Sequence, residues 1–209
     1  MGGLIMRALR IVAVSIAALL SGSLSLGQNL VSNPDFDTDL TAWNPLSGAL
    51  QMWDPLDADS DPLSGSALVT NIDPDPNDGS GSAQCIDGLV GDWLYDVSAE
   101  FYIPSGQVET GHAYLLVQFY TGTGCSSFIG FADTDPVFST TTDVWVARTR
   151  RVWAPAGTQS ARLRLSVWKN EAGGSLDAHF DNVGFESAAL VFIDGFESGD
   201  VSAWTWSTP

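Results

Sequence analysis

Alternation of apolar and polar residues with period two, cut by Gly, Pro, Asp and Ser, restricts this sequence more than any other feature. In WLYDVSAEFYIPSG, Tyr95, Val97, Ala99, Phe101 and Ile103 form one row, with Asp96, Ser98, Glu100 and Tyr102 opposite. In GHAYLLVQFYTG, Ala113, Leu115, Val117 and Phe119 alternate with His112, Tyr114, Gln118 and Tyr120. In ARLRLSVWKN, Ala161, Leu163, Leu165 and Val167 alternate with Arg162, Arg164, Ser166 and Trp168. Successive strand side chains point to opposite faces, so each segment is a strand with one buried row and one outward row. Further strands are expected over Trp145 to Trp153 and in HFDNVGFE at 179–186. Helical periodicity is almost absent after the first 27 residues. The pattern predicts an all-β fold, an antiparallel β-sandwich of jelly-roll type.

The first 27 residues read differently. Arg7 and Arg10 precede an apolar run from Ile11 to Leu20, followed by the small-residue stretch SGSLSLG. That order is a secretory signal peptide, with cleavage expected after Gly27. The apolar run is too short to span a bilayer. Residues 28–187 are then expected to form the folded domain, and 188–209 a tail. The protein is expected outside the cytoplasm, periplasmic or extracellular, without membrane insertion.

The chain carries a net charge of −17. Two of its eight cations, and none of its acids, lie in the leader, so the mature chain is more acidic still. Such a surface repels nucleic acid and anionic membranes. The remaining cations, Arg148, Arg150, Arg151, Arg162, Arg164 and Lys169, fall in one stretch. They read either as a ligand surface or as two neighbouring strands charged for solubility and internal pairing. The two cysteines, Cys85 and Cys125, read in an exported chain as one disulfide.

Two acidic segments, DPLDADSDPLSG and DPDPNDGSGS, read as loops between early strands. Neither is an EF-hand, because Pro62 or Asp78 occupies the position that needs Gly. The segment NLVSNPDFD, Asn29 to Asp37, places a turn at Asn-Pro and a core anchor at Phe36, and runs on to Trp43. A shortened echo, DGFESGDVSAW, lies in the tail. Trp43 and Trp145 are expected in the core.

Taken in order, NLVSNPDFD with Trp43, SGSALVT, the two cysteines around a YIPSG strand end, and the closing HFDNVGF resemble a carbohydrate-binding module. The nearest type is the CenC-like, cellulose- and xylan-binding group with a galactose-binding-like jelly roll, and the resemblance runs from Asn29 to about Ser187. It implies a structural calcium held by Asp37 and Asp181, with backbone oxygens from the loop at Asp57 to Gly65 completing the shell. Asp stands here where that group commonly has Glu after the Phe.

Sugar recognition needs flat rings for C–H surfaces and planar polar groups for hydroxyls. The outward rows supply both: Tyr114, Gln118 and Tyr120 on one strand, Arg162, Arg164 and Trp168 on another. If the two strands lie side by side, they form one surface, with Trp53 and Trp93 as a rim. A catalytic reading is weaker. A glycosidase needs two carboxylates across a cleft. Glu100, Glu109, Glu171, Glu186 and Glu197 offer no evident pair, and the Asp residues cluster in turns. His112 as a base with Tyr114 or Tyr120 as an acid is the remaining enzymatic option. The expectation is a non-catalytic, monomeric glycan-binding protein. The alternative is a structural or adhesive sandwich that binds no sugar.

Overall fold

The computed structural model describes residues 27–75, 78–132 and 137–188. The leader before Gly27 and the tail beyond Ala188, with its echo of the opening phrase, lie outside them. Eleven strands run in chain order. They are β1 (Asn44–Pro45), β2 (Ala49–Asp54), β3 (Ser66–Asn71), β4 (Asp78–Asp87), β5 (Trp93–Tyr102) and β6 (Gly111–Gly122). β7 (Ser126–Phe131), β8 (Val137–Ser139), β9 (Val146–Ala154), β10 (Ser160–Lys169) and β11 (Leu176–Ser187) follow.

They form two antiparallel sheets. One has the order β1-β4-β10-β6-β7, with β8 also paired to β6, and the other has the order β2-β3-β11-β5-β9. From β4 onward the chain passes repeatedly from one layer to the other, so neighbouring strands are distant in sequence. This is the expected jelly roll. The alternating rows do what their spacing predicts: Val97, Ala99, Phe101, Leu163, Leu165, Val167 and Phe119 all face the core between the sheets. Phe101 meets Phe180 edge-on across a sheet, at 5.5 Å between ring centroids.

The opening phrase closes one end of the sandwich. Asn29 donates to Val183 O and accepts from the Phe185 N–H, tying the N-terminal segment to β11. Phe36 is fully buried beside Trp43, whose indole N–H donates to Asn33 O. Trp145 differs from expectation. It precedes β9 and packs tilted against Tyr102 and edge-on against the buried His179 on the outer face of the five-stranded sheet, away from the core.

Two further expectations change. Residues 78–82 of the second acidic segment are not loop but the first half of β4, paired with β10 from Asp78↔Lys169 to Ser82↔Leu165. Their Gly-Ser composition reads as a turn, yet the serines are satisfied inside the fold: Ser80 donates to Ser47 O and Ser82 to Gln51. The six cations do not share neighbouring strands, because β9 edges one sheet while β10 is central in the other. Lys169 is fully buried, and its ammonium caps the carbonyls of Asp73, Gly173 and Gly174. Arg151 makes a two-pronged ion pair with Asp96 at 2.8 Å.

Cys85 and Cys125 form the expected disulfide, with Cα atoms 5.9 Å apart. It straps β4 to the β6–β7 turn over the start of β10, where Ser160 accepts from the Cys125 N–H and donates to Gly122 O. A bridge of this sequence separation stabilises by roughly 3–4 kcal/mol through the unfolded chain.

Candidate functional site

β10 lies between β4 and β6, and its outward row faces solvent across the six-stranded sheet. In the β10–β6 register Arg162 sits opposite Gln118, Ser166 opposite Tyr114 and Trp168 opposite His112. Tyr114, Gln118, Tyr120, Arg162, Arg164 and Trp168 therefore share one face of two paired strands.

Their exposure is not uniform. Tyr114 is 8% and Tyr120 6% exposed, so neither presents the open ring the alternation suggested. Tyr114 leans across β10, its hydroxyl reaching Gly79 on β4, and Ser166 between them is fully buried. Tyr120 is covered by the Arg162 guanidinium, 5.5 Å above its ring, and by the edge of Phe128. The tyrosines are the floor of the face.

The rim is made of residues the alternation did not single out. Phe131 pairs with Gln118 and Phe128 with Tyr120, with a register shift between them. Strict alternation would put residues three apart on opposite faces. The bulge puts both rings on the outer face, where they meet edge-on at 5.0 Å and stay 55% and 50% exposed. Gly130, inside an otherwise strand-like SSFIGF, was the available signal. Phe138 on β8 is the third ring, 47% exposed and edge-on to His112. Trp53 and Trp93 are not part of this rim. Both lie on the five-stranded sheet against the core, donating to Phe36 O and Ser187 Oγ.

At one end of the face the His112 ring stacks on Trp168 at 5.9 Å and 18°, and contacts Tyr114. Burial among these rings holds the imidazole below its ordinary pKa, favouring the neutral form. In the middle, Arg164 donates to Gly79 O at 3.3 Å, while its Nε is buried without a partner.

Of the calcium ligands the resemblance implies, Asp181 lies on β11 of the other sheet and Asp37 in the segment before β1. A bulge in β11 puts two residues, Asp181 and Asn182, between the inward-facing Phe180 and Val183. Asp181 is 1% exposed and accepts only neutral donors, the N–H groups of Ala58 and Asn182. Burial pushes its pKa up to about 7, and the charges of Asp57 and Asp35 add to the shift. Asp35 is raised as well, first by burial and then by Asp37, Asp59 and Asp57. Asp37 is exposed and reaches the Ser64 hydroxyl at 3.5 Å. Among the described residues no three His, Cys, Asp or Glu side chains stand close enough to hold a metal by themselves. An ion at this place would need backbone carbonyls as well. Crowded carboxylates with no cation beside them suit a hard, oxygen-seeking cation.

The two-layer jelly roll is the fold seen in carbohydrate-binding modules. The chain is similar to the xylan-binding first family 22 module of Xyn10C from Paenibacillus barcinonensis, with a TM-score of 0.56 and 15% identity over 79% of this chain and 98% of that one. It is similar also to the C-terminal family 22 module of Xyn10B from Clostridium thermocellum, with a TM-score of 0.53 and 16% identity over 76% and 94%. An arabinose-bound α-L-arabinofuranosidase, MgGH51, gives a TM-score of 0.57 and 20% identity over 79% of this chain, which spans only 27% of that enzyme. No protein-family model and no curated protein sequence matches the chain.

Proposed function

We propose that the protein is a secreted, non-catalytic module that grips a polysaccharide across the outer face of the six-stranded sheet. The observation that carries this reading is the pairing of β10 with β6. It puts Arg162, Gln118 and Trp168 along one face, with the exposed rings of Phe128 and Phe131 near the Arg162–Gln118 end and Phe138 near the Trp168 end. Rings cover sugar C–H surfaces, and guanidinium and amide groups replace the water on hydroxyls. The fold shared with a xylan-binding domain points the same way. Export is supported by the leader-like first 27 residues and by the disulfide. A monomer without affinity for nucleic acid fits the strong negative charge.

Binding without turnover is supported by the composition of the face: β6, β7, β8 and β10 contain no Asp or Glu, so the acid pair of a glycosidase has no source there. The structural or adhesive alternative draws on the covered tyrosines, whose rings pack on neighbours in place of a ligand. Affinity electrophoresis through gels containing neutral and acidic polysaccharides separates the two. The glycan-binding reading expects retardation by at least one polymer, reduced in Trp168→Ala. Free migration through every gel leaves only the alternative.

We propose further that calcium braces the N-terminal segment against β11, with Asp181 and Asp37 as carboxylate ligands and carbonyls of the Asp57–Gly65 loop as the remainder. The ion would neutralise the crowded acids and fix the loop against β11.

A further inference from the structure

Arg162 and Arg164 are conspicuous in a chain with 25 acids and 8 basic residues. Arg162 has its ring contact with Tyr120, and Arg164 one bond to a carbonyl; neither makes an ion pair among the described residues. Two other cations are answered by the fold: Arg151 has Asp96, and the buried Lys169 has three carbonyls. Acids are plentiful in the chain but sparse in the strands of this sheet. Across all six strands of the sheet they occur only as Asp78 and Asp87, the two ends of β4, and the Asp87 carboxylate accepts the Gly124 N–H. The crowded carboxylates around Asp181 belong to the other sheet.

A guanidinium held half-buried among rings loses hydration that a neutral hydroxyl does not restore. An oxyanion does restore it, because the planar fork matches two oxygens at once. We infer that this face selects a polysaccharide bearing carboxylate or sulfate groups, with Arg162 and Arg164 as the residues that read the charge. This rests on the glycan-binding reading and narrows its ligand class. The two Cα atoms are about 6.8 Å apart, two strand residues, so they can engage oxyanions on one sugar or on adjacent ones. The overall charge of −17 does not forbid this. Exposed charges are screened beyond about 8 Å at physiological salt, and the strand acids of this sheet stand only at the two ends of β4.

The test uses the full mature protein in affinity electrophoresis against matched polymers: polygalacturonate and its methyl ester, glucuronoxylan and arabinoxylan, carrageenan and agarose. At least one acidic member should be bound tenfold or more tightly than its neutral counterpart. The carboxylate and sulfate pairs tell which oxyanion is read. Arg162→Gln should abolish that preference, while Arg162→Lys keeps part of it; thermal melts check that both variants fold. Arg164→Gln is the second probe, and if it does not fold, Arg162→Gln carries the test. Equal binding to acidic and neutral partners, a preference for neutral ones, or an acidic preference untouched by Arg162→Gln overturns the inference and leaves glycan binding standing. No retardation by any polymer overturns both.

Discussion

The hydroxyl of Tyr114, on β6, lies against Gly79, on β4, with β10 between them. A Cβ built at Gly79 would stand 2.0 Å from that oxygen and 3.0 Å from the ring carbon bearing it. Only glycine leaves the ring lying flat across the strand. Gly79→Ala should therefore destabilise the fold by about 1–3 kcal/mol through overpacking, read as a shift in the urea midpoint. Tyr114→Phe in the same chain should recover part of that loss by removing the nearest atom. Equal midpoints for the wild type and Gly79→Ala would mean that the ring lies elsewhere.

Phe131 and Trp53 make a contrasting pair. Phe131 is an exposed rim ring, whereas Trp53 packs against the core and donates to Phe36 O. Phe131→Ala is expected to leave the melting temperature nearly unchanged and weaken glycan retardation severalfold. Trp53→Ala should cost about 3 kcal/mol of stability and leave retardation by a bound glycan intact in the folded fraction. The opposite assignment of effects would move the binding surface to the other sheet.

Asp181 sets the expected response to calcium and pH. Its folded pKa, pushed up to about 7, lies above the ordinary carboxylate value, so the folded state holds this proton more tightly than the unfolded chain. With chelator present, its contribution is most favourable below about pH 4 and declines as pH rises through 7. Calcium holds the ionised form and should raise the melting temperature most clearly near pH 8. Asp181→Asn should abolish that increase. A midpoint indifferent to calcium and chelator in the wild type would remove the ion from the account.

The chain has two histidines, so their titrations can be followed individually by NMR. Burial lowers both: His112 between Trp168 and Phe138, and His179 beneath Tyr102 and Trp145. Both should titrate below the usual value of about 6.5. Because the folded pKa is depressed, each contributes stability that is complete above about pH 6.5 and is lost as pH falls through the folded value. Proton binding at or above the ordinary value for His112 would show that its ring is solvated and the box of rings open.

How far the sequence reached depends on what each residue needs in order to be read. Alternation in 93–106, 111–122 and 161–170 depends only on strand geometry, so it gave the all-β class and the buried rows of β5, β6 and β10. Phe36, Trp43 and the Cys85–Cys125 bridge were equally legible, because anchors and paired thiols carry local or compositional signals. Sheet order was not legible. That β10 lies beside β6, and that β9 lies in the other layer, depends on which long-range pairing buries the most surface. The Gly-Ser half of β4 was misread as a turn because its reason is the Tyr114 ring, which reaches it from two strands away. Phe128 and Phe131 were missed because a bulge overrides period two. Trp53, Trp93 and Trp145 were misplaced because a tryptophan's neighbours are set by the layer its strand joins.

By itself the sequence determined which side of each strand is apolar, since that is a property of residue order along one chain. Only the tertiary structure decided which outward rows meet, which rings stay open and which charges lack a partner. Those depend on contacts between segments far apart in the chain, whose pairing is chosen by the packing of the whole core.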